Sequence, residues 1–551
     1  MEQMRLLLAI VLTFVVFLAW ELLFSPQKPV APPPEAPDKP VTEQAVDKSP
    51  EEQPLESSKA SPHVDIPVPD TSFGTITVET DLYSAEISEK GAALSRFVLK
   101  NYKEGPGQDD PLKALVGDGN QSGTAIVRLN GTPEGVSSRA VFTTDLTQKY
   151  VRINDAPEVF SFFWRSGDGL ILEKRYTFHP RSYEIGMSII VANQSDQTVD
   201  AGILVDMRNP PPEGRSFVFR GPFAYIDSQL KEIDIDDIDK KNLYQGNIYW
   251  TGIEDRYFMT ALIAESPVQT QIKLFLDETA NQLQVTYVQP SDPLPPASRH
   301  RYDYQLFLGP KRMPVLNQVG YDLKEAINFG FFDIIAKPCL WLMNAIHDRF
   351  IPNYGVAIIL LTILFKLIFW PLGNKSYRSM AEMKKLQPLM TEIRKKYKDD
   401  KQKMNEEVMR LYRTYKVNPL SGCLPMLVQI PVFIAFYRML YEAIELRHAP
   451  FLLWINDLSA PDRLFNFGFS IPFMTPPFGI PVLTIIMGAT MFLQQKLSPP
   501  PGDPTQAKFM MMMPLIFTVI FINFPSGLVL YWLTNNLLSI AQQYYITRKT
   551  A

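Results

Sequence analysis

The chain has 551 residues, of which 46% are hydrophobic and 20% are charged, and its formal net charge is −4. This length allows two or more domains. The two cysteines, Cys339 and Cys423, lack the CxxC or histidine companions of a metal site, so we expect no metal at either. Residues 26–330 carry 43 acidic against 30 basic residues, whereas long apolar runs dominate after about residue 351. The net charge therefore combines an acidic soluble part with a membrane part.

The N-terminal segment is an apolar run that follows Arg5 and ends before Ser25. A cleaved signal peptide is the alternative, but no A-x-A site follows, so we predict an uncleaved transmembrane anchor over residues 1–25. Residues 26–70 are dense in proline and charge and nearly free of aromatic residues. Such a composition cannot bury enough surface to order itself, which predicts a disordered tether.

Residues 71–320 change to short alternating runs, such as TITVETDLYSAEIS and YEIGMSIIVANQS, separated by Gly, Asn, Asp and Pro. Alternation with period two predicts strands with one buried face, and many such runs predict a large all-β sandwich. His179 and His300 are isolated, and the sequence contains neither GxSxG nor HExxH. We therefore predict that this region is not an enzyme.

Residues 321–350 show an amphipathic pattern that carries Trp341 and is predicted to break at Pro338. A segment with one apolar and one charged face is typical of a helix that lies along the membrane surface. A helix packed on the β-sandwich is the alternative.

Five apolar stretches after residue 351 have the length needed to cross a bilayer. They are Tyr354–Leu372, Leu420–Ala443, Ile480–Leu497, Phe509–Phe524 and Gly527–Ile546. With the N-terminal anchor they predict a polytopic α-helical membrane protein of six transmembrane helices, five of them in a core over residues 351–551. Residues 374–418 contain thirteen Lys or Arg against six Asp or Glu, which predicts that this loop is cytoplasmic. Both termini are then cytoplasmic, and the β-sandwich lies outside.

The cytoplasmic loop has apolar residues at spacings of three and four on both sides of Asp399 and Asp400. This pattern predicts a hairpin of two antiparallel helices over residues 374–418. Its basic cluster comprises Arg394, Lys395, Lys396 and Lys398. Anionic lipid head groups and ribosomal RNA are the candidate partners of this cluster.

Lys366, inside the apolar sequence ILLTILFKLIFWPLG, is the central candidate residue. A lysine near the middle of a membrane helix costs about 2.5 to 3.5 kcal/mol. Snorkelling of the ammonium to the cytoplasmic surface is one explanation, since Pro371 and Gly373 lie only one or two turns further on. The other is a hydrophilic cavity, because Thr362 lies one turn before Lys366 and neighbouring helices supply further polar residues. These are Gln429, Gln494, Gln495, Thr518, Asn535 and Asn536.

A cavity that is open to the cytoplasm and to lipid would lower the barrier for a hydrophilic segment that enters the membrane. Its lysine would attract acidic residues of that segment. No ATP is required for such a step, and the sequence contains no GxxxxGK[ST] motif.

Three stretches carry a family resemblance: NPLSGCLPMLVQIPVFIAFY (Asn418–Tyr437), Leu453–Ala460 and FPSGLVLYW (Phe524–Trp532). They resemble the YidC/Oxa/Alb family of membrane protein insertases, and the anchor and acidic outer domain resemble its long bacterial YidC form. The resemblance implies an insertase and chaperone in the bacterial inner membrane, with a periplasmic β-supersandwich similar to mutarotase-like folds.

The resemblance also implies a hydrophilic groove whose positive residue, usually arginine, corresponds to Lys366. Thr362, Gln429 and Tyr531 match further groove positions. Lysine keeps the charge of arginine but lacks its planar set of five donors. The segment Arg463–Phe478 looks long for the family, which leaves the outer boundary of the fourth span open.

Nascent membrane proteins are the implied clients, and the Sec translocon, the ribosome and the signal recognition machinery are further candidate partners. A monomer is expected to suffice, without a cofactor. A secondary transporter of a small molecule is the main alternative, although inverted repeats are not visible in the sequence. A membrane-anchored sugar-binding domain or sugar-modifying enzyme is the third reading, and six spans are more than an anchor needs.

Overall fold

The structure, a computed structural model, describes residues 74–107, 109–117, 123–129, 140–146, 148–167, 169–212, 218–415, 417, 424–497 and 504–550. The predicted anchor and tether over residues 1–70 lie outside the described residues. Within them, a β-domain precedes a helical region.

The β-domain contains eighteen strands in the part of the chain that the structure describes. Buried and half-buried residues alternate along many of them, for example over all ten residues of Glu184–Asn193. The prediction of an all-β domain is confirmed. The strands are β1 (Thr75–Glu79), β2 (Tyr83–Ser88), β3 (Ala93–Lys103), β4 (Leu112–Val116), β5 (Ile126–Leu129), β6 (Tyr150–Arg152), β7 (Glu158–Arg165), β8 (Leu170–Phe178), β9 (Glu184–Asn193), β10 (Val199–Asp200), β11 (Ile203–Asn209), β12 (Gly221–Ile226), β13 (Gln229–Glu232), β14 (Leu243–Glu254), β15 (Phe258–Asp277), β16 (Gln282–Val288), β17 (Pro293–Leu294) and β18 (Arg299–Pro310).

Two sheets make up most of this domain. The larger has eleven strands with the main order β13-β12-β14-β15-β18-β9-β8-β7, and β5, β11 and β16 pair beside this path. The smaller has the order β4-β3-β2-β1-β6, in which only the β1–β6 pair is parallel. Tyr176 and Lys174 of β8 both donate to the carbonyl of Ala92, each at 2.8 Å, and so join the two sheets. Burial holds the pKa of Lys174 well below its usual range.

The helical region contains ten α-helices among the described residues, together with one short β-hairpin. The helices are α1 (Met313–Val319), α2 (Asp333–Arg349), α3 (Tyr354–Ile368), α4 (Trp370–Lys385), α5 (Gln387–Lys396), α6 (Lys401–Thr414), α7 (Leu424–Glu442), α8 (Val482–Leu497), α9 (Pro504–Phe521) and α10 (Ser526–Thr550). The hairpin pairs β19 (Leu464–Phe467) with β20 (Phe478–Ile480).

Each of the five apolar stretches predicted as spans overlaps with one of these helices: α3, α7, α8, α9 or α10. Among the described helices, none is by itself long and apolar enough to count as a candidate membrane span. The pair α3 and α4 meets that test together, and the two helices are bent by 66°. The number of six transmembrane helices stays a prediction.

Helix α2 corrects one prediction, because it continues through Pro338 instead of breaking there. Proline removes one backbone donor from a helix interior. The residues around it bury an apolar face that includes Cys339, Leu340 and Met343, and this packing against α3 and α7 outweighs the lost bond. Trp341 lies on the opposite, exposed face.

Residues 374–418, predicted to form a cytoplasmic hairpin, correct a second prediction. The first arm of this hairpin is not one helix, since α4 ends at Lys385 and α5 begins at Gln387, immediately before Pro388. Pro388 lacks the N–H that would bond the carbonyl of Lys384, four residues before it, and its ring crowds that carbonyl, which separates the two helices. Helices α5 and α6 then pack on each other as predicted, with the hydroxyl of Tyr412 3.5 Å from the sulfur of Met390.

Two arginines join the β-domain to the helical region through backbone carbonyls. Arg256 Nε donates to the carbonyl of Tyr441 at 2.6 Å, and its guanidinium lies 3.9 Å from the centre of the Tyr441 ring. In the opposite direction, Arg447 Nη2 donates to the carbonyls of Lys103 at 2.5 Å and Glu104 at 3.3 Å. The β-domain therefore contacts the residues at and after the end of α7.

Buried charges line the same junction. Lys311 Nζ lies 3.1 Å from the Glu254 carboxylate, and Arg438 lies 3.4 Å from Glu442. Burial raises the pKa of Glu254 to about 8. Burial acts to lower the pKa of Lys311, but the charges of Glu254 and Glu442 outweigh it and raise the pKa.

Candidate functional site

Helix α3 positions Lys366 close to a sharp change in chain direction. The helix begins after Asn353, whose side chain accepts from the backbone N–H of Val356 at 3.0 Å. It ends at Ile368, and Pro371 stands in the first turn of α4, where its missing N–H is tolerated. Lys366 is therefore placed in the last turn of α3, directly before the 66° bend.

The Lys366 ammonium is buried, with 8% of the residue exposed, and its partner is a serine on α10. Lys366 Nζ donates to Ser539 Oγ at 2.7 Å. Ser539 Oγ in turn donates to the carbonyl of Asn535 at 2.7 Å, and Tyr377 of α4 lies near this serine. A serine has one hydroxyl donor and two acceptor positions. The donor of Ser539 is thus used within α10, and one of its acceptor positions joins α10 to α3.

Helix α10 carries further buried polar residues that face other helices. Gln542 Nε2 donates to the carbonyl of Trp370 at 3.1 Å and to Asn374 Oδ1 at 3.0 Å. Asn536 Nδ2 lies 3.4 Å from Thr490 Oγ1 on α8. Asn536, Ser539 and Gln542 form a polar stripe along α10 at a spacing of three residues, which we call the α10 stripe.

Two of the predicted site residues use their hydroxyls within their own helices. Thr362 Oγ1 donates to the carbonyl of Ile358 at 2.7 Å, and Thr518 Oγ1 donates to that of Pro514 at 2.7 Å. Thr362 is buried one turn before Lys366, whereas Thr518 faces Gly488 between α8 and α9. Only Thr362 therefore belongs to the surroundings of Lys366.

Tyr531 lies in an aromatic group that connects α3, α7 and α10. Its ring stacks on Phe436 at 4.9 Å and on Phe433 at 6.1 Å between centroids. Phe365, the neighbour of Lys366, meets Phe436 edge to face at 5.3 Å. This group borders the Lys366 site on the α7 side.

The remaining predicted residues are half-buried: Gln429 on α7, Gln494 and Gln495 on α8, and Asn535 on α10. The structure thus brings Lys366 and the Asn535 carbonyl together at Ser539, with Thr362 one turn before Lys366 on α3, while Thr518 lies elsewhere. Sequence analysis missed Ser539, Gln542 and Tyr377. The regular spacing of polar residues along α10 is a sequence pattern that could have identified Ser539 and Gln542.

The basic cluster at the end of α5 faces solvent. Lys395, Lys396 and Lys398 are exposed, and Arg394 is half-buried. Asp400 caps α6 by accepting from the backbone N–H of Lys403 at 3.0 Å. Among the residues that the structure describes, no group of three or more His, Cys, Asp or Glu is placed to hold a metal ion.

Comparisons with known proteins cover both regions of the chain. Residues 75–342 match the family model described as "YidC periplasmic domain", and residues 346–551 match that of the "60Kd inner membrane protein" family. The membrane protein insertase YidC of Syntrophobacter fumaroxidans is 41% identical over 557 residues, which cover 99% of this chain and 100% of that protein. The YidC of Pelobacter propionicus is 39% identical and covers 99% of both chains. A solved structure of an active YidC insertase with the first transmembrane domain resolved is 22% identical, covers 86% of this chain and 93% of that chain, and has a TM-score of 0.37.

Proposed function

The chain belongs to the YidC family of membrane protein insertases, and we propose that it moves nascent hydrophobic segments into the inner membrane and acts as their chaperone. In this proposal the client enters through a hydrophilic groove that is open to the cytoplasm and to lipid, without ATP. The observation that carries the proposal is the Lys366–Ser539 pair, in which a cation on an apolar helix faces the α10 stripe.

Charge attraction to the client is the proposed role of Lys366. A carboxylate 4 Å from the ammonium gains roughly 4 kcal/mol at an effective dielectric of about 20, before desolvation is subtracted. A hydrogen bond to a charged donor contributes about 1.5 to 3 kcal/mol. An acidic client segment can therefore compete with Ser539 for Lys366, and the ammonium has two further N–H donors to offer.

The apolar part of the client is proposed to leave sideways into lipid. Next to Lys366 on α3, Leu367 and Ile368 are 60% and 59% exposed, so an apolar surface adjoins the cation. Burial of each client methylene in lipid contributes about 0.8 kcal/mol. A client thus meets the charged and the apolar part of the site within one helical turn.

The orientation follows from the distribution of charge. We propose that both termini and residues 374–418 are cytoplasmic, that residues 26–350 lie outside, and that six helices cross the membrane. Lys395, Lys396 and Lys398 are then positioned for anionic head groups at the cytoplasmic surface. The Sec translocon, the ribosome and the signal recognition machinery are proposed as partners on the client's route. A cysteine in place of Asp399 should react with an impermeant thiol reagent only from the cytoplasmic side, in a background without the native cysteines.

Reconstitution of the pure protein in liposomes tests the function. A two-span client with a short translocated tail should insert without nucleotide, and clients with Asp or Asn tails separate charge attraction from general hydration. Lys366→Leu should reduce insertion of the Asp-tail client most, because it removes the cation. Lys366→Arg should preserve insertion, since it keeps the charge and adds planar donors.

Lys496→Leu is the matched control, because Lys496 lies in the last turn of α8 with its ammonium 4.9 Å from the Phe492 ring, outside the contacts of Lys366. It also removes one positive charge from an apolar helix, and it should leave the difference between the two clients unchanged. Equal losses of both clients in Lys366→Leu would remove the cation from the mechanism. No insertion by the wild-type protein would refute the proposed function itself.

A further inference from the structure

The segment between α7 and α8 presents aromatic side chains to its surroundings. Its strands β19 and β20 form the short hairpin, and Phe465, Phe469 and Phe473 within it are 68%, 64% and 80% exposed. We call residues 463–480 the phenylalanine hairpin. It follows the end of α7, where Tyr441 meets Arg256, so it lies at the β-domain end of the helices.

Two polar side chains at the base of the phenylalanine hairpin, Arg463 and Asn523, make hydrogen bonds to backbone groups instead. Arg463 Nε donates to the carbonyl of Pro477 at 2.8 Å, and Arg463 Nη1 donates to that of Ile522 at 2.7 Å. Asn523, in the turn between α9 and α10, accepts from the backbone N–H of Thr475 at 2.9 Å and donates to the carbonyl of Phe473 at 2.9 Å. These bonds fix the hairpin to the helices, so its phenylalanine rings are held in an outward-facing position by the fold.

This arrangement is the reverse of a surface that faces water, where charged groups lie outside and large apolar groups lie inside. Residues 464–495 contain no Asp, Glu, Lys or Arg, so the surface from β19 to the last turn of α8 carries no charge, and Arg463 and Lys496 stand at its two ends. The flanking helices continue the apolar surface with Ile485 and Ile486 on α8 and Leu515 on α9, all exposed. Large contiguous apolar surfaces mark contact with lipid or with another protein.

We propose that the phenylalanine hairpin lies in the outer leaflet of the bilayer, with its three exposed rings among the lipid acyl chains. Lipid fits better than a soluble protein partner because the surface lacks charge from residue 464 to residue 495 and continues into the apolar faces of α8 and α9. The proposal rests on the membrane location of the family and on the orientation proposed above, and not on the insertion mechanism.

Spin labels provide the test. Phe473→Cys, Phe469→Cys and the milder Ser470→Cys are made singly in a Cys339→Ala, Cys423→Ser background and labelled with a nitroxide in phosphatidylethanolamine–phosphatidylglycerol nanodiscs. Power saturation then compares collisions with oxygen, which concentrates in acyl chains, and with a nickel chelate, which stays in water. Leu515→Cys is the reference for an exposed position on α9, and Lys240→Cys, on the solvated surface of the β-domain, is the aqueous reference.

We expect the oxygen-to-nickel ratio at positions 469 and 473 to exceed that at 240 several-fold and to approach that at 515. A ratio equal to that at 240 would overturn the proposal and leave the rings in water. Protection from both reagents would also overturn it, because it would place a client, a second copy or another protein on the hairpin. Thermal melts confirm that each variant folds, and Ser470→Cys replaces a phenylalanine variant that does not. Loss of insertion activity has no bearing on these ratios, so the two proposals fail independently.

Discussion

The bond between Lys366 and Ser539 can be measured by a double-mutant cycle. Ser539→Ala is made in the natural chain and in a Lys366→Met background, which keeps a long apolar stem at the position but removes the ammonium. In the natural chain, the substitution leaves a buried cation without its hydroxyl acceptor at 2.7 Å. In the Lys366→Met background it removes only the bond of Ser539 to the carbonyl of Asn535. The difference between the two losses is the energy of the lysine bond.

Two ranges bound its magnitude. Side-chain hydrogen bonds within membrane proteins average about 0.6 kcal/mol and reach about 1.7 kcal/mol. Hydrogen bonds to charged groups contribute about 1.5 to 3 kcal/mol. Lys366 is charged and only 8% exposed, so water replaces the lost bond poorly. We expect a coupling energy of about 1.5 kcal/mol, where the two ranges overlap.

Steric trapping in bicelles measures the free energy of unfolding for all four proteins at one lipid composition. A coupling energy below about 0.5 kcal/mol would mean that water, not Ser539, solvates the ammonium, and the reasoning from this contact would fail. The Ser539→Ala variant also tests the proposed function in the insertion assay. If client carboxylates displace Ser539, Ser539→Ala should raise the insertion of Asp-tail clients relative to Asn-tail clients, measured at equal protein levels.

Three further predictions concern the β-domain and its junction. Glu254→Gln should flatten the pH dependence of stability, because the folded carboxyl, with a pKa of about 8, keeps a proton that the unfolded carboxyl releases near pH 4.3. The natural protein should lose at most about 1.4 kcal/mol of its unfolding free energy per pH unit from pH 5 to 8. Thermal melts in which the natural protein and the variant show the same dependence on pH would contradict this. Arg256→Ala should lower the melting temperature of the full chain, because the Tyr441 carbonyl loses its donor. Arg256→Lys should recover only part of that loss, because lysine lacks the planar face that packs on the Tyr441 ring. An unchanged melting temperature in both variants would show that the contact is not stabilising. Asp206→Asn should cost about 3 to 5 kcal/mol in denaturant unfolding, because Arg128 donates to both carboxylate oxygens, at 2.7 and 2.9 Å, in a buried site. A loss below about 1 kcal/mol would contradict the last prediction.

Local patterns in the sequence predicted most of the architecture. Period-two alternation depends only on neighbouring residues, so strands such as β9 were found with their buried faces, and uninterrupted apolar runs located the helices α3 and α7 to α10. The errors at Pro338 and before Pro388 have the opposite cause. Whether a proline breaks a helix depends on the packing around it, and the sequence does not contain that packing in readable form.

In the candidate site, too, one residue was predictable from local sequence and another was not. Lys366 was predictable because an ionisable residue in an apolar run is conspicuous by itself. Its partner was not, since Ser539 lies 173 positions further along the chain and only the folded arrangement of α3 and α10 brings the two together. The family resemblance drawn from three motifs was confirmed by relatives that match 99% of the chain.

The arginine contacts at the junction have a consequence for exchange of parts between relatives. Arg256 and Arg447 donate to the carbonyls of Tyr441, Lys103 and Glu104, and every residue type supplies a carbonyl at the same place. The accepting positions can therefore change their side chains without loss of those hydrogen bonds, although the ring contact at Tyr441 would be given up. A chimera that combines the β-domain of one relative with the helices of another should dock wherever the two arginines and the local backbone path are kept.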